Sequence, residues 1–110
     1  MTEALAQTLY AELWVSLASL LRSYTAVHGL NRSEQATVEL AEDRILVRVG
    51  QRWLHLDRYE AEIRWSRENG VSGSMWLTEN GSLALKSGPE EVRDEEMDMQ
   101  AETWARELMQ

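Results

Sequence analysis

The chain reads as an α+β domain in a two-layer sandwich: a long N-terminal helix, an antiparallel β-meander of five to six strands, and a C-terminal helix. Three observations predict this. Apolar residues recur at three- and four-residue spacing over residues 3–28. Apolar and polar residues alternate over residues 36–86, with turn pairs between the runs, Asn69-Gly70 and Asn80-Gly81 being the strongest. A second helical stripe, Met97, Ala101, Trp104, Ala105 and Leu108, closes the chain. At 110 residues, with no internal repeat, low-complexity tract or linker, residues 1–110 make one domain with room for a core.

The first helix is expected over residues 3–28, with Thr2 as its cap and Gly29 ending it. Leu5, Leu9, Leu13, Leu17, Leu20, Tyr24 and Val27 form its stripe, broadened by Tyr10, Trp14, Val15 and Leu21. Such a stripe suits a helix lying across a sheet. Residues 29–35 make a polar loop.

Counting outward from each turn gives the register of the sheet. A turn at Glu42-Asp43 pairs Leu40 with Ile45 and Val38 with Val47; a turn at Gly50-Gln51 pairs Val47 with Leu54 and Ile45 with Leu56. Read as two-residue turns, Asn69-Gly70 sets Trp65 opposite Ser74 and Ile63 opposite Trp76, and Asn80-Gly81 sets Thr78 opposite Leu83 and Trp76 opposite Leu85. One face then collects Val38, Leu40, Ile45, Val47, Val49, Leu54, Leu56, Ile63, Trp65, Trp76, Leu83 and Leu85. A slip of one residue would move a strand's whole set to the other side. The join from Asp57 to Glu62 has no clear turn pair. Asp57-Arg58-Tyr59-Glu60 also fits a capping box, so a helix over residues 58–69 is the competing reading, giving α-β-β-β-α-β-β-α. Alternation of Ile63 and Trp65 favours a strand at 62–68. The last helix is expected after Ser87-Gly88-Pro89, its proper start near Asp94, with the acidic run Glu90 to Asp98 in its first turns.

Composition narrows the function. Net charge is −8 and the isoelectric point about 4.7, which disfavours binding to nucleic acid, where phosphates must be neutralised. Absence of cysteine excludes disulfides, thiolate metal sites and a cysteine nucleophile. The N-terminus carries Glu3 and no early Lys or Arg, and the apolar stretch Leu13 to Leu21 is too short to span a bilayer, so the reading is a cytoplasmic protein without membrane contact. The acidic run lacks the alternating ligands and glycine of a calcium loop, and no phosphate loop, nucleophile elbow or serine triad is evident. No catalytic constellation argues for an enzyme, and no cofactor is expected.

What remains is the outer sheet face. By the same register it carries Leu46, Arg48, Trp53, His55, Arg64, Met75, Leu77, Ala84 and Lys86. Trp, Met and Arg are enriched in protein interfaces. Leu46, Arg48, Trp53, His55, Arg64, Met75 and Leu77 are therefore the candidate surface for a homodimer or a partner protein. His55 with Arg48 or Arg64 leaves a small-ligand or metal module as an alternative.

Two families share the outline. Helix–meander–helix at this length, with Met75-Trp76-Leu77-Thr78, resembles frataxin-like proteins, whose corresponding strand displays a Trp that binds the iron–sulfur scaffold. That family also carries an acidic iron-binding ridge. The first helix here offers only Glu3 and Glu12, and the register turns Trp76 inward, so iron binding does not carry over. The competing α-β-β-β-α-β-β-α order resembles the small acidic dimeric type III secretion chaperones, which would imply binding of unfolded effector segments.

Overall fold

A computed structural model of the chain describes residues 3–30, 34–86 and 92–110, with side chains from residue 6 onward. Helix α1 spans Glu3–His28. Strands β1 (Thr37–Leu40), β2 (Arg44–Val49), β3 (Arg52–Tyr59), β4 (Glu62–Arg67), β5 (Ser72–Leu77), β6 (Ser82–Lys86) and β7 (Val92–Glu96) follow, then helix α2 (Met97–Leu108). The strands form one open antiparallel sheet in sequential order, β1 to β7. Both helices pack on one face, and their apolar residues merge with those of the sheet in a single core.

The strand at 62–67 is confirmed, and the helix over residues 58–69 does not form. β3 and β4 meet through the two central residues Glu60 and Ala61, with Tyr59 opposite Glu62. The missing turn signature has a physical cause. This turn needs positive φ at its first central residue, and that residue is Glu60, at φ 59°. The same pattern recurs between β2 and β3, where Gly50 takes φ 60°. Positive φ at the first central position alone is the II′ arrangement, which favours glycine there. The sequence therefore marks one of these turns and hides the other.

The first half of the register is as expected: Val38 pairs with Val47, Leu40 with Ile45, Ile45 with Leu56 and Val47 with Leu54. The second half is shifted. Asn69 and Asn80 are not at positive φ, whereas Gly70 (86°) and Gly81 (83°) are. Each pair therefore closes a three-residue loop, a type I turn followed by a left-handed glycine. The hydrogen bonds agree. Arg67 N–H donates to the Val71 carbonyl (2.8 Å) and Gly70 N–H to the Arg67 carbonyl (3.1 Å). Thr78 N–H donates to the Ser82 carbonyl (3.0 Å) and Gly81 N–H to the Thr78 carbonyl (3.1 Å). Ile63 then pairs with Met75, Trp65 with Gly73, Met75 with Leu85 and Leu77 with Leu83.

Two slips of one residue, one at each end of β5, turn over β5 alone. β4 and β6 keep their expected faces, so their agreement across β5 gave no warning. Met75 (0% exposed) and Leu77 (3%) lie in the core, and Trp76 points outward. The packing favours this. Two apolar side chains go inside, each worth ~1.5–3 kcal/mol, and Ser74 and Thr78 stay out of the core, where an unbonded hydroxyl costs ~1–3 kcal/mol. Gly73 completes the fit. Trp65 lies across it so closely that a Cβ there would sit 2.9 Å from the ring. Trp65 in turn meets Trp104 of α2 edge to face, centroids 6.0 Å apart.

Helix α1 has the expected bounds but a rotated face. Its buried line is Trp14, Leu17, Ala18, Leu21 and Thr25, while Val15 and Val27 are exposed, the latter by 61%. Leu13, Leu20 and Tyr24 flank the core. Trp14 anchors the rotation: its indole N–H donates to the Ala41 carbonyl at 2.9 Å, and Arg58 lies over its ring at 5.8 Å. The two helices are joined by Tyr24 donating to Asp98 Oδ1 (2.7 Å) and by His28 Nε2 beside Glu102 (3.3 Å). The Asp98 hydrogen bond is the main reason the Tyr24 phenol titrates above its ordinary value.

The second helix starts later than expected. Val92–Glu96 pairs with β6 as an edge strand, and Glu96, in extended conformation, precedes the helix without a side-chain cap. Ser87-Gly88-Pro89, Glu90, Glu91, Thr2 and the Leu5 side chain lie outside what is described. One core-face feature has no counterpart in the sequence reading. Arg67 is only 8% exposed, held between Glu107 of α2 (3.1 Å) and Glu68 (3.3 Å).

Candidate functional site

The face away from the helices is built by the outward positions of every strand. Two rows of the ladder organise it. In the first, Arg48 of β2 stands opposite Trp53 of β3, level with Glu68. In the second, Glu62, Trp76, Ala84 and Asp94 run level across β4 to β7. The rows lie six residues apart along β4, so the two indoles are roughly 20 Å apart at ~3.3 Å per residue. Between them sit His55 opposite Leu46 and Ser66, and Arg64 opposite Asp57 and Ser74.

Of the seven candidate residues, Leu46, Arg48, Trp53, His55 and Arg64 share this face. Met75 and Leu77 do not; they are core residues for the reason given above. The expected single apolar cluster is therefore two islands. One is Leu46 with Trp53. The other is Trp76 with Ala84, near Tyr59. Serines 66, 72 and 74 and the Arg64 side chain separate them. Trp76 was missed because the turn count put it inside.

Some polar groups of the face are engaged. Glu68 Oε1 accepts the Trp53 backbone N–H at 3.1 Å, fixing the strand end that carries this indole. Burial alone would raise the Glu68 carboxyl, but the Trp53 amide and the Arg67 guanidinium outweigh it and hold it below the usual carboxylate range. Arg64 Nε bonds Glu62 at 2.9 Å, and its guanidinium lies 5.2 Å from the Tyr59 ring centre. Arg44 and Arg48 have no partner among the described residues.

His55 Nε2 is buried and has no hydrogen bond, although Asp57 Oδ1 is 3.3 Å away. The pair is within ion-pair reach but out of hydrogen-bond alignment. Ser66 lies directly opposite His55 in the register, yet no hydrogen bond joins them among the described contacts, so the nucleophile–base contact of a serine triad is missing. No cluster of three or more metal-ligating side chains occurs among the described residues. His28, the other imidazole, sits between the two helices on the opposite side of the sheet.

None of the described helices is long and apolar enough to cross a membrane. The outward Trp76 corrects the expectation that had set the chain apart from the frataxin-like pattern. The acidic ridge of that pattern has no equivalent: from residue 6 onward, Glu12 is the one acid on α1. The element order behind the secretion-chaperone resemblance is not the observed one. Comparison with protein-family profiles, curated proteins and solved structures finds no match to this chain.

Proposed function

We propose that this chain is a protein-interaction module that works through its outer sheet face and not as a catalyst. The observation that carries this reading is that Leu46, Trp53 and Trp76, each only partly buried, lie on a face that no described helix covers, beside arginines without partners among the described residues. Trp and Arg are the side chains that most often dominate binding energy. Both indoles are partly buried, and what remains exposed can be removed from water at ~25 cal/mol/Å². The His55–Asp57 pair lends shape and polarity to the surface between the islands.

Tagged wild type and the variants Trp53→Asp and Trp76→Asp test the reading by recovery of any associated chain, with circular dichroism as a folding control. Both substitutions lie outside the core, so both variants should fold and both should lose association. Association that survives both changes, or a wild type that associates with nothing, would overturn it.

A further inference from the structure

We infer that the open edge of β1 is a second binding site, apart from the outer face, where an extended peptide of a partner protein adds as a further strand in the groove between β1 and α1. The peptide carries an acidic and an apolar side chain at alternate positions, both facing the groove.

The register decides which backbone groups β1 leaves open. Ala41 N–H donates to the Arg44 carbonyl at 2.7 Å, so Ala41 and Arg44 are a hydrogen-bonded pair. Bonded and non-bonded pairs alternate along an antiparallel ladder. Thr37 and Glu39 therefore bond to β2, and the N–H and C=O groups of Val38 and Leu40 point away from the sheet. Among these, the Val38 carbonyl accepts from Arg22 Nη2 at 3.3 Å, an exposed bond beyond the usual length. The guanidinium stands where the amide of an added strand would go.

The two edges of the sheet differ. β7 ends it with four charged residues in a row, Arg93, Asp94, Glu95 and Glu96, a pattern that keeps other chains off an edge. β1 carries the single charge of Glu39, which lies on the outer face opposite Leu46. On the helix side a cavity of about 490 Å³ runs beside β1, in the size range of ligand sites. Arg22, Ala26 and Leu30 line it from α1 and its end, and Ala36 and Val38 from the strand.

That lining specifies the occupant. Edge groups at Val38 and Leu40 bond an extended backbone, the mode of strand addition. Val38 and Ala36 both face the helix side, so the peptide residues level with them face the groove as well. The residue level with Val38 comes under Arg22, whose guanidinium meets no carboxylate among the described residues of a chain with net charge −8. A carboxylate there takes up the guanidinium as the peptide's amide replaces it at the Val38 carbonyl. The residue level with Ala36 meets Ala26 and Leu30, the latter 79% exposed, and fits an apolar side chain.

Selection of a displayed random peptide library on the immobilised wild type, followed by titration of one enriched peptide, tests the site. Enriched sequences should carry Asp or Glu at the second position from an apolar residue. The bound peptide should slow amide exchange at Val38 and Leu40 and leave Thr37 and Glu39, already bonded to β2, unchanged. Arg22→Glu should raise the Kd by about tenfold or more. Val38→Pro removes an outward N–H that the ladder does not use, so it should fold by circular dichroism and lose the peptide; the exchange data on the wild type decide the matter if it does not fold. Trp53→Asp, on the outer face, should leave the Kd within about twofold. A library that enriches nothing overturns the inference, as does a peptide that ignores Arg22→Glu and leaves the Val38 and Leu40 amides unprotected. Protection of both amides in the wild type alone, with a dimer in sedimentation, overturns the peptide in favour of a second copy. Binding lost in Trp53→Asp but kept in Arg22→Glu overturns the β1 site and supports the outer-face reading.

Discussion

The two halves of the sheet are built on different turns, and the weaker signals were the more faithful guides. β1 to β3 turn through Glu42-Asp43 and Gly50-Gln51, pairs of modest turn preference, yet their register follows from simple outward counting. β4 to β6 turn around two Asn-Gly pairs, and both strand pairings there are shifted by one. An Asn-Gly pair serves a two-residue turn with both residues at positive φ. It serves equally a three-residue loop in which only the glycine is. In the first half, continuous apolar agreement on both sides of each turn leaves one register. In the second, β5 reads Ser-Gly-Ser-Met-Trp-Leu and has apolar candidates for either face.

The sharpest way to break this comparison is to charge neighbouring residues of β5. Met75→Asp buries a carboxylate in a fully enclosed site and should unfold the domain, a loss of several kcal/mol. Trp76→Asp, at a partly buried outward position, should cost clearly less and leave the domain folded. Urea melts of the two check this, and the reverse ranking would restore the two-residue turns. Trp14→Ala should cost about 3–5 kcal/mol, since it empties a core site and leaves the Ala41 carbonyl without its donor; thermal unfolding reads it. Gly73→Ala should cost about 1–3 kcal/mol, because the Cβ strikes the Trp65 ring, and the indole fluorescence of Trp65 against Trp104 should change with it. Glu60→Gly should stabilise by about 0.5–1 kcal/mol, by relieving a positive φ that glycine accepts freely; a shift in the urea midpoint without a change of slope is the expected signature. The smallest effect is acidic. The Glu68 carboxyl is lowered in the folded state, so its contribution is present above the unfolded carboxylate value and fades as pH falls through the folded one. Glu68→Gln should flatten that part of the stability–pH curve below about pH 4.5 and leave neutral pH little changed.

Much of the fold was legible because it depends on long periodic runs. The bounds of α1, the antiparallel meander and the apolar stripe of α2 all follow from spacing alone. The parts that were not legible depend on single residues. β7 reads Val-Arg-Asp-Glu-Glu, which alone suggests a charged helix start. It becomes a strand because β6 offers an unpaired backbone edge, and charged side chains suit an edge strand. The rotation of α1 was hidden because leucines recur on more than one side of it, and the hydrogen bond from Trp14 to Ala41 decides between them. For the candidate surface, Leu46, Arg48, Trp53, His55 and Arg64 were legible through the well-determined half of the register. Trp76 replaced Met75 and Leu77 because of one extra loop residue at each end of β5. The single expected cluster thereby became two islands.

The orientation of β5 carries the whole description of the outer face, and backbone NMR tests it directly. In the observed register Arg64 faces Ser74 and Glu62 faces Trp76 as non-hydrogen-bonded pairs, whose Hα atoms approach closely. Strong Hα–Hα cross-peaks between those two pairs are the predicted result. Cross-peaks joining Trp65 to Ser74 and Ile63 to Trp76 instead, the non-hydrogen-bonded pairs of the two-residue turn, would turn β5 over, return Trp76 to the core, and contradict the account.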